Sequence, residues 1–266
     1  MIWAVILAAG GSRRMGVPKL LLPYETVSHR HCEAAERPKQ SDAVAASAAW
    51  RSHGIRWDHH GFFQKPRDAP PGRIASLPRV ARNDNLQLRR SFSGGRTIIE
   101  TVIERVSASR VDRTLVVLGS HWRTMKELIR KYPVVTAVNV RFKQGMLSSI
   151  QRGISALPRD CRAAVIVLGD QPDTGSEVIN RLLEAYRRKG KKIVVPIYGQ
   201  KRGHPVLIDL KFRDEIAGLN PEIGLRELLH KHPDEILEVR VPDSSILLDI
   251  DTPADYQKAL KTKEKR

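Results

Sequence analysis

Ile2-Trp3-Ala4-Val5-Ile6-Leu7, followed by Ala8-Ala9-Gly10-Gly11-Ser12-Arg13-Arg14-Met15-Gly16 and then Lys19, opens the chain and decides its fold class. Ile2 to Leu7 is a short apolar run rich in β-formers, the pattern of a strand buried on both faces. It ends in a glycine-rich turn. Glycines directly after a strand let the backbone approach a phosphate closely and aim amide N–H groups at it. Arg14 and Lys19 add positive charge over such a ligand. The spacing is neither a Walker A loop, which needs Gly-Lys-Ser/Thr after four spacer residues, nor Gly-x-Gly-x-x-Gly. A plain tight turn is the alternative reading.

Downstream, apolar runs alternate with helical periodicity. Thr114 to Leu118, Val134 to Val138, Ala163 to Leu168, Ile193 to Pro196, Val206 to Ile208 and Ile246 to Ile250 read as strands. Thr97 to Val106, Trp122 to Lys131, Ser148 to Leu157 and a segment ending near Arg188, with Ser176 as its N-cap, read as helices. Leu225 to His230 reads as a helical turn, and Pro253 suits the first turn of a last helix. Buried strands separated by amphipathic helices predict an α/β, Rossmann-like three-layer sandwich with a mostly parallel sheet covered on both faces.

One stretch departs from this. Residues 27–93 hold five of the nine histidines, among them His59 and His60, with several prolines and no lasting periodicity. Helix is expected only around Asp42 to Ala49. A connection this long predicts an irregular, basic insertion in a single domain spanning 1–266. Its histidines lack carboxylate or cysteine partners at ligand spacing, so a surface excursion is the simpler reading than a metal site. Arg30 to Arg37 and Ala81 to Asp84 resemble peptides translated from dispersed palindromic repeats in bacterial genes, which implies a tolerated segment.

Composition narrows the function classes. A hydrophobic content of 41% in 266 residues is ample for a large core. No apolar run is long enough for a transmembrane helix, and the short apolar N-terminus lacks the basic region of a signal peptide. Cys32 and Cys161 are the only cysteines and fit neither a disulfide framework nor a zinc site, which points to a reducing cytoplasm. The net charge of +17 suits polyanionic partners, and the scattered Lys and Arg favour solvated faces and small phosphorylated ligands over a nucleic-acid groove or a membrane.

Carboxylates close two of the strands. Asp170 follows Gly169 at the end of Ala163 to Leu168, where open α/β sheets bind ligands. Asp251 follows another apolar run and precedes Pro253; Asp249 alternates with it and points the same way if the strand continues. One or two carboxylates plus phosphate oxygens suit magnesium. A turn residue is the alternative for Asp170, and a helix N-cap for Asp251. Asp173 and Asp255 read as surface or helix-start residues. Cys161 has no base to pair with and reads as a core or edge residue.

Leu7-Ala8-Ala9-Gly10-x-Ser12-x-Arg14-Met15-Gly16-x-x-Lys19 resembles the nucleotide loop of the molybdenum cofactor nucleotidyltransferases, in the glycosyltransferase-A-like nucleotidyltransferase superfamily. Gln144-Gly145-Met146-Leu147-Ser148-Ser149, Leu168-Gly169-Asp170-Gln171-Pro172, Gly203-His204-Pro205-Val206 and Asp249-Ile250-Asp251-Thr252-Pro253 resemble further family segments in the family's order. The resemblance covers about residues 1–26 and 94–260. It implies a nucleotide-diphospho-sugar-transferase-like fold and a nucleotide site of Leu7, Ala8, Ala9, Gly10, Gly11, Ser12, Arg14 and Lys19. It makes Asp170, Lys19 and Arg14 catalytic and places Mg2+ on Asp170 and Asp251, with Asp249 in reserve. Gly145, Ser148, Ser149 and His204 become the acceptor-binding residues. Ala8-Ala9-Gly10 and Lys19-Leu20-Leu21-Leu22-Pro23 resemble the cytidylyl branch, so the resemblance implies CTP and molybdopterin as partners and transient contact with a molybdoenzyme or its chaperone. GTP as donor, a sugar or polyol phosphate as acceptor, and a non-catalytic cofactor chaperone are the alternatives.

Overall fold

Strand formation begins where the apolar run begins. The structure is a computed structural model and describes residues 1–12, 14–15, 17–26 and 95–264. Its elements are β1 (Ile2–Ala8), β2 (Pro23–Thr26), β3 (Gly95–Thr97), α1 (Ile98–Ser107), β4 (Arg113–Leu118), α2 (Trp122–Ile129), β5 (Val135–Val138), α3 (Met146–Ala156), β6 (Ala163–Leu168), α4 (Ser176–Lys189), β7 (Ile193–Tyr198), β8 (Lys201–Arg202), β9 (Val206–Asp209), α5 (Arg213–Ala217), α6 (Arg226–Lys231), β10 (Ile236–Arg240) and α7 (Pro253–Glu264).

The main sheet has the order β10-β7-β9-β6-β1-β4-β5, with β8 paired to β7. β1 lies parallel between β4 and β6, β5 extends this parallel block beyond β4, and β10 is parallel to β7. β9 runs antiparallel to both β6 and β7. Side chains on a strand alternate between faces, and β1 shows what that does. Ile2, Ala4, Ile6 and Ala8 pack with Ile98, Ile99 and Val102 of α1 and Leu182 and Leu183 of α4. Trp3, Val5 and Leu7 pack on the opposite face with Leu147, Ile150 and Ile154 of α3 and with Ile216 and Leu228. The result is the expected three-layer α/β sandwich with a mostly parallel sheet.

A separate antiparallel pair, β2 and β3, sets Thr26 opposite Gly95. Thr97 then caps α1: its Oγ1 accepts from Glu100 N while Glu100 Oε2 accepts from Thr97 N, a capping box. The insertion expected over 27–93, its helix near Asp42 to Ala49 and its histidines lie outside the described residues.

Two expectations are corrected. The late strand over Ile246 to Ile250 does not form. Asp243 accepts a hydrogen bond from Ser245 N at 2.9 Å and starts a 3-10 turn over Ser244–Leu247 instead. Short polar side chains that bond the local backbone compete with strand pairing in this way. Ser176 is the first helical residue of α4, and Gly175, in extended conformation, is the N-cap. Among the described residues no helix is long and apolar enough to cross a membrane.

Candidate active site

β1 and β6 run in register, Leu7 beside Leu168, so their carboxyl ends finish together. Gly169 donates its N–H to the Leu7 carbonyl at 3.0 Å. A Cβ on Gly169 would stand 2.8 Å from that oxygen, so only glycine lets the chain turn here and deliver Asp170 beside the end of β1. Gly119 does the same beyond β4, where a Cβ would fall 2.5 Å from the Ala9 carbonyl.

The loop after β1 folds back on itself. Ser12 adopts φ 48°, in the left-handed region that non-glycine residues seldom enter. Its Oγ accepts from Lys19 N at 3.0 Å and its carbonyl from Met15 N at 3.0 Å. Lys19 is thereby turned inward, with only 8% of its surface exposed. Its Nζ donates to Asp170 Oδ2 at 2.6 Å and to Asp251 Oδ1 at 2.8 Å. Arg14 Nη2 donates to the other Asp251 oxygen, Oδ2, at 2.5 Å. Burial works against the Lys19 charge, but the Asp170 and Asp251 carboxylates outweigh it and hold the ammonium above its usual range. Burial likewise favours neutral Asp251, but Lys19 and then Arg14 outweigh it and keep that carboxyl below the usual range.

Asp251 is free for this because its neighbours cap the helix. Thr252 and Asp255 bond each other reciprocally, Thr252 N to Asp255 Oδ2 at 2.8 Å and Asp255 N to Thr252 Oγ1 at 3.2 Å. The N-cap alternative for Asp251 is therefore filled by Thr252, and Asp255 is the expected helix-start residue. Ile250 N donates to the Asp170 carbonyl at 3.0 Å, tying the two acidic segments together. Asp249 turns to another partner, accepting from Gln171 Nε2 at 2.8 Å. Burial and the Asp170 charge raise its carboxyl pKa. Asp173 is structural: it accepts from Tyr24 Oη at 2.6 Å.

These residues surround an open cavity of about 590 Å³, a size that suits a small-molecule ligand. Its lining comprises Leu7, Gly10, Gly11, Ser12, Arg14, Lys19 and Leu20 from β1 and the segment after it, the carboxylates Asp170 and Asp251, and Ser120, Phe142, Lys143 and Gly145. Most of the residues singled out in the sequence are thus brought together. Ala8 and Ala9 are buried behind the cavity, Ala9 against Gly119. Ser148 and Ser149 are not on the lining: Asn139 Nδ2 donates to their hydroxyls at 2.9 and 3.0 Å. His204 Nδ1 and Nε2 carry no hydrogen bond to any described residue; burial lowers the ring's pKa, with the Asp170 charge opposing.

Phe142, Lys143 and Ser120 were missed in the sequence, as were the tying roles of Asn139 and Gln171. Gln171 is buried and donates to both Asp249 and the Ile246 carbonyl, which also accepts from His204 N at 3.1 Å. The available signal for Asn139 was an amide directly after an apolar strand. For Phe142 and Lys143 only adjacency to Gln144-Gly145 pointed to the site.

Asp170 and Asp251 fit a divalent cation. Both carboxylates already converge on one positive group, the Lys19 ammonium. Among the described residues no group of three or more His, Cys, Asp or Glu gathers to hold an ion. Two carboxylates completed by phosphate oxygens and water match the ligand preference of Mg2+.

Comparison with solved structures places the fold. Rv0371C of Mycobacterium tuberculosis H37Rv, in a crystal structure with manganese, superposes with a TM-score of 0.62 at 19% identity, covering 98% of this chain and 98% of that one. A nucleotidyl transferase from Methanothermobacter thermautotroptrophicus gives 0.64 at 18% identity, covering 100% and 98%. Molybdopterin-guanine dinucleotide biosynthesis protein A from Archaeoglobus fulgidus gives 0.54 at 14% identity, covering 99% and 100%. At these identities the likeness is one of fold. No curated protein matches the sequence. Residues 86–236, more than half of the chain, match the model of the MobA-like NTP transferase domain. The chain belongs to that family, and it is a nucleotidyltransferase.

Proposed function

We propose that the protein transfers CMP from CTP to the terminal phosphate of molybdopterin, giving a cytosine dinucleotide and pyrophosphate, with Mg2+ held by Asp170 and Asp251. The observation that carries the reading is the convergence of those two carboxylates on a single cation beside the glycine-rich loop. A phosphate-to-phosphate transfer needs little else. The acceptor monoester is already anionic near neutral pH, so no strong general base is required. One acceptor oxygen bonds to the α-phosphorus while the bond to the bridging oxygen of the β-phosphate breaks, and pyrophosphate leaves with that electron pair.

The task of the chain is alignment and charge neutralisation. Arg14 and Lys19 offset the repulsion between two polyanions, and the amides of Gly10 and Gly11 are available to the remaining oxygens. The bound cation supplies charge stabilisation at the reacting phosphates. Gly145, with Phe142 and Lys143 beside it on the cavity lining, is the proposed acceptor side. Ser148 and Ser149 act there through Asn139 and the backbone they hold. CTP rather than GTP rests on the Ala8-Ala9-Gly10 and Lys19 to Pro23 pattern. Since Ala9 packs on Gly119, its influence on the base runs through the Gly119-Ser120 turn. A cytoplasmic location and hand-over to a molybdoenzyme or its chaperone complete the proposal.

Product analysis tests it. The protein is incubated with Mg2+, molybdopterin and either CTP or GTP. A cytosine dinucleotide plus pyrophosphate is expected. A guanine dinucleotide would reverse the base assignment and keep the chemistry. Absence of both from folded protein would remove molybdopterin as the acceptor.

A further inference from the structure

Lys19 belongs to the nucleotide loop by sequence, but its ammonium is bonded to the two carboxylates proposed to hold the metal. Nζ takes one oxygen from Asp170 at 2.6 Å and one from Asp251 at 2.8 Å. The lysine side chain is only 10% exposed, against 24% and 34% for the two carboxylates. Its backbone N–H is pinned by Ser12 Oγ at 3.0 Å, so the stem starts from a fixed point. The four-carbon stem beyond that point still rotates.

We infer that Lys19 is a resident counter-ion that makes metal binding conditional on the nucleotide. While the ammonium bridges Asp170 and Asp251, a divalent ion entering alone meets a positive charge and loses two carboxylate oxygens to hydrogen bonding. Arg14 on Asp251 Oδ2 adds to the barrier, but its side chain is 68% exposed and its pairing is screened. A triphosphate entering with the ion changes the balance. Its oxygens offer Lys19 and Arg14 new partners, and the carboxylates are released to the cation. Metal and nucleotide therefore bind with positive coupling, and by linkage each raises the affinity for the other by the same factor. The inference rests on the metal reading of Asp170 and Asp251 given above. It concerns a further role for Lys19, that of holding the site closed to a lone ion.

The test uses Mn2+ as the probe, followed by electron paramagnetic resonance of the free ion, on the full chain and on Lys19→Met. Methionine keeps an unbranched side chain one atom shorter than lysine and removes its charge. With Mn2+ alone, Lys19→Met is expected to bind about 10-fold more tightly than the wild type, within the range of about 5–150-fold common for coupled sites. The further gain from adding an α,β-methylene CTP analogue should shrink by a similar factor. Unchanged or weaker Mn2+ binding by Lys19→Met would overturn the inference and make Lys19 a fixed clamp that the ion needs. Folding is read in parallel by circular dichroism and thermal melting. A variant that folds only with Mn2+ present, the ion replacing the lost ammonium, supports the inference. One that stays unfolded at saturating Mn2+ counts against it.

Neither CTP turnover nor a pterin enters the metal-only measurement, so it stands apart from the substrate assignment. Adding Asp170→Asn to Lys19→Met is expected to abolish the gained affinity. If the gain survives, the ion sits elsewhere, and both the inference and the metal reading of Asp170 fall.

Discussion

Asp170, Lys19 and Asp251 lie far apart in sequence, yet each has a local reason for its position. Gly169 turns the chain so that Asp170 follows β6 into the cavity, Ser12 turns Lys19 inward, and Thr252 caps α7 in place of Asp251. This arrangement predicts the result of Asp170→Ala. The buried Lys19 ammonium keeps Asp251 as a partner at 2.8 Å, so the fold should persist with little change in melting temperature. Turnover should drop by about 10²–10³-fold or more, the scale seen when a preorganised electrostatic group is removed. Near-normal nucleotidyl transfer by this variant would reject the metal role of Asp170. His204 gives a second prediction at this scale. Burial depresses its pKa below the ordinary 6.5, so between the folded and unfolded values the unfolded chain binds the extra proton. Its contribution to stability is complete above about pH 6.5 and declines as the pH falls below it. Urea midpoints at pH 7.5 and 5.5 should therefore differ more for the wild type than for His204→Gln. Equal losses in both proteins would show that His204 is not a destabilising proton acceptor.

At the scale of elements, periodicity reported what is buried and said little about what pairs. The central strands were legible because each is a continuous apolar run, and α1 because Ile98, Ile99, Val102, Ile103 and Val106 recur at helical spacing and share one buried face. The direction of β9 was not legible: Val206 to Ile208 is apolar whichever way it runs, and only its place between β6 and β7 makes it antiparallel. β10 escaped notice because an edge strand needs one covered face, and charged residues alternate through Ile236–Arg240. The strand expected over Ile246 to Ile250 failed because Asp243 bonds the backbone locally. That failure matters to the site, since an irregular segment lets Asp249 and Asp251 take different partners. The stretch between β5 and α3 is likewise held by a polar tie. Asn139 donates to Ser148 and Ser149, and its Oδ1 accepts from Arg141 N at 2.9 Å, fixing the loop that carries Phe142, Lys143 and Gly145. Asn139→Leu fills the same space without those bonds. It should lower stability by about 1–3 kcal/mol, the cost of leaving buried polar groups unpaired. It should also raise KM for the acceptor more than it lowers kcat. Unchanged KM values would mean that the loop keeps its shape without Asn139.

We read residues 27–93 as a segment added to the family domain, and β2 and β3 are the described strands on either side of it. Thr26 and Gly95 stand directly opposite each other in antiparallel register, so their Cα atoms are separated by about 4.5–5.5 Å, the distance between paired residues. A two-residue Asn-Gly turn closes such a pair. The described residues on both sides already supply the sheet, both helical layers and every residue named at the site. We therefore expect a chain in which Asn-Gly replaces residues 27–94 to fold. Shortening a connection between two paired residues lowers the entropic cost of closing it, by roughly 0.6 kcal/mol for each halving. The melting temperature should thus be equal or higher, and nucleotidyl transfer should be retained. The family match begins at residue 86, ahead of Gly95, so a second variant that keeps 86–94 separates the two parts of the segment. Activity in both variants would make the whole of 27–94 dispensable to the reaction. Activity only when 86–94 is kept would assign those residues to the family domain. Loss of fold or of transfer in both would mean that the segment supplies contacts the site depends on, and the reading of 27–93 as a tolerated insertion would be wrong.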